Sequence, residues 1–441
     1  MQKIKYKPRI LCLFDYACNT GFATVSTNIV KELKRQFGGN MELDIVGINY
    51  FGDDYIEPGD MQVRVCSAKK HDPQLGNDGK PNPDVFGRVT FLRELAQNEY
   101  TGIFIIQDLN VVTASKTGGA MADLLQTIKL EKLKKNSVNF KSIYYFPIDC
   151  GLISLQVKGL EFFDLIVSYT EFGKKVIANH NPALKAKTKI IPHGNNSKDY
   201  FPIENKEEVT EFRKTFFGET EQEPLFIVSN INRNQPRKDL PNTIFGFIEA
   251  KENWPTDLPK PFLYLHTNPD DTEGWDLRIL LQQTSLKEGE DFKITPKEIQ
   301  EQGASTELMN LIYNASDVYL TTTTGEGWGL TITEAMATKT PVIATNYSSI
   351  PEITNYGERA WLLETLYPHC SVVGSMLRYQ TDYFEVGEKI IEVATAAKNN
   401  TQEYQNKIHA AYKYVLSLDW QIICKRWAEY FHEVFDIPYR K

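Results

Sequence analysis

Short apolar runs alternate with longer amphipathic stretches along most of the 441-residue chain. This alternation is typical of β-α-β units, in which helices cover a buried parallel sheet. The sequence therefore predicts an α/β protein. The predicted strands are Ile10–Phe14, Leu43–Ile48, Gly102–Gln107, Ser142–Phe146, Leu165–Ser168 and Lys189–Ile191 in a first series, then Leu225–Asn230, Phe262–Leu265, Val318–Thr322 and Pro341–Thr345 in a second.

The chain is too long for one ordinary core and suits two domains of about 200 residues each. A polar, acidic stretch between Pro202 and Pro224 separates the two strand series. We expect an N-terminal domain over residues 1–200, a C-terminal domain over 201–418 and a last helix over 419–441. That helix has apolar residues at helical spacing, so its apolar face is predicted to pack back on the first domain.

Composition indicates a soluble globular protein, with 41% hydrophobic and 24% charged residues. No apolar run approaches the roughly 20 residues that a membrane-spanning helix needs. The basic start, Met1 to Arg9, leads directly into a strand, which favours a cytoplasmic protein without an anchor. The six cysteines are dispersed and form no CxxC pair, so we expect reduced thiols.

The net charge of −8 is unevenly distributed. Residues 1–200 hold 26 Lys and Arg against 21 Asp and Glu, a charge of +5, which leaves −13 for the rest. One interpretation is that the asymmetry only affects solubility. The other is that the N-terminal half faces a polyanion.

The most informative segment is Asp317 to Glu352, which predicts a strand, a glycine-punctuated loop, a helix and a strand. The three glycines of GEGWG allow a tight turn and close approach of the backbone to a ligand. The helix that begins near Leu330 directs unpaired backbone N–H groups at the loop, and a phosphate suits such a position.

Two glutamates in this segment are candidate ligand-binding residues. Glu326 lies in the loop and Glu334 about one turn into the helix, so both can face the same ligand. A carboxylate beside a phosphate site suits a ribose or sugar, whose hydroxyls donate to it. On spacing alone, two solvated glutamates are the alternative.

A second candidate segment, VSNINRNQPRKD, follows the first predicted strand of the C-terminal half. Arg233 and Lys238 leave the carboxyl end of a strand, where open α/β sheets bind ligands, and can neutralise a diphosphate. For Arg237 we expect a solvated position in a basic loop.

The string GEGWGLTITEAMA, followed by PVIAT and SSIPEI, resembles the donor-site signature of glycosyltransferase family 4, a retaining family. The resemblance covers most of the chain. It implies a GT-B fold, in which two Rossmann-like domains face each other across a cleft and the C-terminal helix crosses back to the first domain.

The resemblance also implies roles for individual residues. Glu326 would contact the transferred sugar, and Glu334 the ribose of the donor. The backbone N–H groups of Gly329, Leu330 and Thr331 would hold the diphosphate. Arg233 and Lys238 would stabilise the departing nucleotide, where negative charge develops.

Three further residues occupy places of family landmarks. Gly21, in DYACNTGFATVST, corresponds to a glycine loop near the diphosphate, although the family often has two adjacent glycines where this chain has Gly21 and Phe22. Asp149 lies in YYFPIDCG, where many members have a histidine. As a catalytic residue it would bind a sugar hydroxyl or orient the acceptor, and the alternative is a helix N-cap or turn residue. His266 lies in a segment that resembles the one flanking the nucleotide base.

The activity implied is that of a hexosyl- or pentosyltransferase that uses a nucleotide-sugar, with a UDP-sugar as the expected donor. No Ser-His-Asp or Cys-His set and no zinc spacing is recognisable in the sequence. GT-B enzymes generally need no metal, so we expect metal-independent transfer without a cofactor.

Three possibilities remain open for the function, and the first two differ in the acceptor. The favoured one is a hydroxymethylated pyrimidine in DNA, as used by phage GT-B enzymes, which would place a phage-encoded chain in the host cytoplasm. The second is a lipid or polysaccharide at an anionic membrane surface, contacted through the basic segment Lys129 to Lys141, itself explicable as a solvated helix face. The third is a protein that binds sugar nucleotides without catalysis.

Overall fold

The computed structural model describes residues 7–67, 86–113, 120–135, 139–151, 154–371 and 376–440. Two compact units are formed. The first comprises Met1–Ile148, Leu152–Gly194 and Trp420–Lys441, and the second comprises Asp149–Gly151 and Asn195–Asp419.

The border between the units differs from the one expected after Tyr200. The N–H of Asn195 donates to the carbonyl of Leu418 (2.7 Å), and the N–H of Phe201 donates to the side chain of Asn310 (3.1 Å). These bonds attach the segment after Gly194 to the second unit.

An eight-stranded sheet forms the centre of the first unit, in the order β3-β4-β2-β1-β5-β6-β7-β8. All neighbours are parallel except β3, which is antiparallel to β4. The six predicted strands of the first series are present, and β3 and β4 are additional. The strands are β1 (Arg9–Asp15), β2 (Glu42–Ile48), β3 (Tyr55–Glu57), β4 (Val63–Ser67), β5 (Gly102–Ile106), β6 (Lys141–Phe146), β7 (Leu165–Ser168) and β8 (Thr188–Ile190).

Helices connect these strands. Helix α1 begins after Thr20, whose side chain caps it by accepting from the N–H of Ala23 (3.1 Å). It buries Ile29 and Leu33. The helices are α1 (Gly21–Phe37), α2 (Arg88–Gln97), α3 (Leu109–Val112), α4 (Met121–Lys134), α5 (Ser154–Lys158), α6 (Glu171–His180) and α7 (Leu184–Lys187).

The second unit contains a six-stranded parallel sheet in the order β11-β10-β9-β12-β13-β14. A separate antiparallel hairpin of β15 and β16 follows it. The strands are β9 (Leu225–Ile231), β10 (Lys260–His266), β11 (Phe292–Ile294), β12 (Val318–Thr321), β13 (Val342–Thr345), β14 (Trp361–Leu363), β15 (Thr365–Cys370) and β16 (Leu377–Thr381).

Helices of the second unit cover this sheet, and α9 and α15 pack against each other there. The helices are α8 (Lys206–Phe212), α9 (Leu240–Glu252), α10 (Leu277–Gln282), α11 (Lys297–Gln302), α12 (Thr306–Ala315), α13 (Leu330–Ala337), α14 (Ile350–Ile353), α15 (Tyr383–Lys398) and α16 (Gln402–Leu416).

The last helix, α17 (Trp420–Phe435), belongs to the first unit. The ring of Trp427 lies 5.2 Å from that of Phe104 and 4.8 Å from that of Tyr145. A Cβ atom on Gly102 would approach the ring of Phe435 closer than 3.0 Å, so the helix packs tightly on β5. The predicted return of the C-terminal helix to the first domain is confirmed.

Within the described ranges, every helix is too short or too polar to cross a membrane. The basic segment Lys129 to Lys141 is only partly described, because residues 136–138 lie outside the described part. Lys129 and Lys141 both pair with Asp164 (3.5 Å each), and Lys132 pairs with Glu99 (3.3 Å). Three lysines of the segment therefore already have carboxylate partners.

Candidate active site

The candidate site is built on the loops that follow β9 and β12. These strands are neighbours, and the strand order reverses between them, which is where open α/β sheets bind ligands. The two loops are bonded to each other, because the carbonyl of Arg237 accepts from the N–H of Thr324 (2.7 Å) and the hydroxyl of Thr323 (3.1 Å).

Glu326 is only 7% exposed, and its carboxylate pairs with two cations. Lys238 Nζ contacts Oε1 of Glu326, and Arg237 donates to the same oxygen at 3.0 Å. The backbone of Glu326 is fixed as well, since its N–H donates to Ser348 (2.8 Å) and its carbonyl accepts from Ser349 (2.7 Å). The position of this carboxylate is therefore defined by the fold.

The pKa values of the pair follow from these contacts. Burial alone would raise the pKa of Glu326, but the charges of Arg237 and Lys238 outweigh it and lower the pKa to about 2. Burial, together with the charge of Arg237, lowers the pKa of Lys238 to about 8 despite the opposing effect of Glu326. At neutral pH the carboxylate is ionised and most Lys238 side chains are protonated.

Asp149 extends the same network. Its carboxylate accepts from Arg378 of β16 at 2.9 Å and lies 3.9 Å from Nε of Arg237. It therefore belongs to an ion-pair network in this structure. The segment Asp149–Gly151 packs with the second unit, although the sequence assigned it to the N-terminal domain.

Gly325 permits this arrangement. Its φ of +150° is disfavoured for residues with a side chain, and a Cβ atom there would approach the carbonyl oxygen of Asp149 closer than 3.0 Å. The sequence predicted a tight turn at GEGWG, and the structure adds that Asp149 packs directly on it.

We expect Gly325→Ala to lower the free energy of unfolding by about 2–4 kcal/mol, from backbone strain and the clash with Asp149. The matched control is Gly218→Ala, where φ is +78° but nothing lies within 4 Å of the added Cβ. Urea unfolding of both variants separates the clash from the strain. Equal losses in the two variants would contradict the proposed packing.

A cavity of about 470 Å³ opens beside the network. It is lined by four predicted residues, Arg233, Lys238, His266 and Thr331. Two further lining residues, Asn232 and Thr267, each carry a buried oxygen, Oδ1 and Oγ1, that has no hydrogen-bond partner among the described residues. Buried polar atoms normally have partners, so these two atoms suit the polar groups of a ligand.

Two predicted residues of the cavity already have protein partners. Arg233 is exposed and pairs with Asp271 (2.7 Å) and Glu273 (2.9 Å), so it is not part of the Glu326 network. His266 accepts from or donates to the hydroxyl of Tyr264 through Nδ1 (2.8 Å), and burial lowers its pKa to about 4. The imidazole is therefore neutral at pH 7. The functional roles of both residues stay predictions.

Helix α13 begins at Leu330, close to where the sequence predicted it. Gly329 precedes it with φ +96° and supplies no capping side chain, so the N–H groups of Leu330 and Thr331 are not capped by that residue. The side chain of Thr331 is bonded to the hydroxyl of Tyr319 (2.7 Å) and lines the cavity.

Glu334 lies on α13 and accepts from the hydroxyl of Tyr313 (2.7 Å). Burial raises the pKa of Glu334 to about 7, the Tyr313 bond opposes the rise, and the charge of Asp199 adds to it. Its carboxyl group is therefore shared between charged and neutral forms near neutral pH.

Gly21 belongs to the first unit, where it opens α1 directly after the cap Thr20. The hydroxyl of Thr20 donates to Asp15 (2.6 Å), which also accepts from Asn49 (3.0 Å). This loop is fixed by its own bonds, and the proposed contact of Gly21 with a diphosphate remains a prediction.

Metal sites in proteins are usually groups of His, Cys, Asp or Glu side chains, which can be sought in the part of the chain that is described. No group of three or more His, Cys, Asp or Glu side chains there could hold a metal ion. Asp270 and Asp271 instead bind Arg278 (3.1 Å) and Arg233 (2.7 Å).

Sequence reasoning missed four residues of the site. The solvated position expected for Arg237 is wrong, because its guanidinium group pairs with Glu326. A signal was present, since Arg237 directly precedes Lys238. Asn232 and Thr267 also follow predicted strands, but Arg378 carries no local signal at all.

Comparison with known proteins gives one family match and several relatives. Residues 279–369 match the family model of glycosyl transferases group 1. A probable sucrose-phosphate synthase from Thermosipho melanesiensis is 25% identical over 261 residues, which cover 58% of this chain and 55% of that protein. The chain thus matches about half the length of this curated relative.

Solved structures match almost the whole chain. The Anabaena protein HepE in complex with UDP and glucose has a TM-score of 0.64 at 14% identity, covering 97% of this chain and 100% of that one. Sucrose-phosphate synthase from Thermosynechococcus elongatus has a TM-score of 0.66 at 13% identity, covering 98% and 99%. At these identities the likeness shows a shared fold.

Proposed function

We propose that this chain, which has the GT-B fold and a segment matching glycosyl transferases group 1, transfers a hexose from a UDP-sugar to a hydroxyl of a sugar phosphate. The observation that carries the proposal is the position of Lys238, which lines the cavity and pairs with the buried carboxylate of Glu326. One side chain thus connects a site for a nucleotide with a site for a sugar.

The nucleotide is proposed to occupy the cavity. Asn232 and Thr267 offer unpaired polar atoms there, and His266 offers a neutral ring. The diphosphate would lie between Lys238 and the first turn of α13, where positive charge and N–H groups converge. The structure of HepE, which is similar in fold, contains UDP and glucose, and this supports a UDP-sugar as donor.

The transferred sugar is proposed to donate its hydroxyls to Glu326, whose pKa of about 2 keeps it an acceptor at any physiological pH. The bond between the anomeric carbon and the diphosphate oxygen breaks, and the acceptor oxygen bonds to that carbon. The acceptor's proton passes to the leaving phosphate. Lys238, Arg237 and the α13 turn stabilise the charge that develops, so we propose transfer without a metal.

The acceptor is proposed to be a sugar phosphate. Sucrose-phosphate synthases are named among both the sequence relatives and the solved structures. The comparisons give no support to DNA as acceptor, and Lys129, Lys132 and Lys141 already have carboxylate partners. The excess positive charge of residues 1–200 therefore does not by itself indicate a polyanion.

Nucleotide release tests the proposal. UDP-, GDP- and ADP-glucose are each incubated with hexose phosphates, free hexoses or hydroxymethylated DNA. We expect UDP release from UDP-glucose that a hexose phosphate stimulates. Stimulation by DNA alone would replace the acceptor, and nucleotide binding without any release would favour a sugar-nucleotide-binding protein.

The pH dependence of donor binding tests the role of Glu334. If the ribose hydroxyls donate to the ionised carboxylate, raising the pH from 6 to 8 increases UDP-glucose affinity roughly tenfold, because the pKa is about 7 in the free protein. Calorimetric titration across this range measures the effect. Glu334→Gln is expected to remove it, and an unchanged pH dependence in that variant would exclude the assignment.

The raised pKa of Glu334 also affects the stability of the free protein, which is expected to fall as the pH rises. The folded pKa of Glu334, about 7, lies above its ordinary value of 4.5, so the folded state binds more protons between these two pH values. The contribution is favourable at acidic pH and is lost as the pH rises through 7. Donor binding would offset this loss.

A further inference from the structure

Arg378 lies on β16, in the hairpin that follows the six-stranded sheet. Its guanidinium group reaches the candidate site, where one nitrogen donates to Asp149 (2.9 Å). Another nitrogen lies beside Gly325, about 3.0 Å from where a Cβ atom would stand on that residue. The hairpin therefore brings a cation to the loop that carries Glu326.

Most of the donor capacity of Arg378 is unused. The residue is only 8% exposed, yet Nε and one terminal nitrogen have no hydrogen-bond partner among the described residues. Leaving buried N–H groups of a charged side chain unpaired is unfavourable by more than leaving neutral ones. A ligand that accepts from both would remove this penalty.

The charges of the network point to the kind of ligand. The ion pairs described for Arg237, Lys238 and Arg378 at this site are with two carboxylates, those of Glu326 and Asp149. These ion pairs thus join three cations to two carboxylates. Guanidinium groups bind carboxylates and phosphates through paired donors, and two donors of Arg378 are free to do so.

We propose that Arg378 is a specificity-determining residue that binds an anionic group, a phosphate or a carboxylate, on a sugar held beside Gly325. The inference rests on the proposed transfer of a sugar at this site. It requires in addition that either the transferred sugar or the acceptor sugar carries a negative charge that Arg378 recognises. Asp149 orients the guanidinium group by accepting from it.

Two sources could supply the anionic group. It is either the phosphate of the acceptor or a carboxylate of the transferred sugar. Matched pairs of substrates distinguish these two sources. As acceptors, a hexose 6-phosphate is compared with the same free hexose, and as donors, UDP-glucuronate is compared with UDP-glucose. The kcat/KM of each member is measured with the full-length chain, and UDP affinity is measured by calorimetry.

We expect the wild type to prefer the charged member of one pair. In Arg378→Ala the preference falls by about 10- to 100-fold, the range for a lost hydrogen bond to a charged group, while UDP affinity stays within about threefold. Arg378→Lys is expected to keep part of the preference, because lysine retains the positive charge but lacks the paired donors of a guanidinium group. The control is Leu377→Ala, on the same strand with a half-exposed side chain, which keeps the preference.

The outcomes separate this inference from the proposed function. If the wild type releases no nucleotide from any donor, both the proposed function and the inference that rests on it are wrong. A wild type that transfers sugar but prefers neither charged member overturns the inference alone. A preference that survives in Arg378→Ala does the same, and Arg378→Gln repeats the test should the alanine variant not fold.

Discussion

Glu326→Gln is expected to reduce kcat/KM for sugar transfer about 10³-fold while changing UDP affinity less than about threefold. Glutamine keeps the shape of the side chain but loses the charge, so the sugar hydroxyls lose an ionised acceptor. The nucleotide is proposed to bind in the neighbouring cavity, and the residues that line this cavity do not include Glu326. Initial rates of UDP release and calorimetric titration with UDP measure the two quantities.

The control for Glu326→Gln is Glu301→Gln, an exposed glutamate paired with Lys297 at 3.6 Å. Surface pairs of this kind contribute little, so this variant is expected to behave as the wild type. Because Glu326→Gln leaves two cations with one carboxylate fewer, urea unfolding must show that the variant is folded under assay conditions. Unchanged turnover in a folded Glu326→Gln would remove Glu326 from the site.

Lys238→Ala is expected to weaken both binding and transfer. Because Lys238 lines the cavity and contacts Glu326, its loss should raise the Kd for UDP about tenfold and lower kcat/KM by about 10²- to 10³-fold. Calorimetry and steady-state rates give the two values. Lys260→Ala, which loses only a surface pair with Glu223 (2.9 Å), is the matched control.

The ratio of the two losses for Lys238→Ala is informative. A loss of transfer with full UDP affinity would assign Lys238 to the sugar alone, in contact with Glu326. A loss of UDP affinity with unchanged kcat would assign it to ground-state binding. The proposal requires that both quantities change.

The fold was predictable because most of its strands are continuous apolar runs. All ten predicted strands are present and pair in parallel in two sheets, and the GT-B fold is confirmed. Of the strands that were missed, β3, β11 and β14 have three residues each, and β15 is largely exposed. In β15 most side chains are half-buried or exposed, so its sequence has no apolar run from which a strand is predicted.

The candidate site was only partly predictable. Glu326 and Lys238 lie in segments whose glycines or basic residues already indicated a phosphate. The pair of Arg378 and Asp149 joins positions 229 residues apart, and no local pattern in either segment reports such a contact. Arg233 has the spacing from Lys238 that the family resemblance implies, yet its guanidinium group pairs with the neighbouring carboxylates of Asp271 and Glu273.

The charge of the first 200 residues suggested a polyanionic partner, and this interpretation is not supported. Net charge counts every lysine as available, whereas Lys132 is buried and bonded to the carbonyl of Asn98 (2.9 Å) and to Glu99. Whether a cation is free depends on its folded neighbours. Composition alone could not provide that information.

The return of α17 to the first unit sets an order for folding during synthesis. The aromatic faces of Phe104 and Tyr145 are covered by Trp427, which the ribosome adds 282 residues after Tyr145. The second unit is nearly continuous in sequence, so its core can form while the first still lacks its last helix. A nascent chain therefore exposes an aromatic surface until α17 has been synthesised and released from the ribosome, and a stop codon placed before Trp420 is expected to yield an aggregating product.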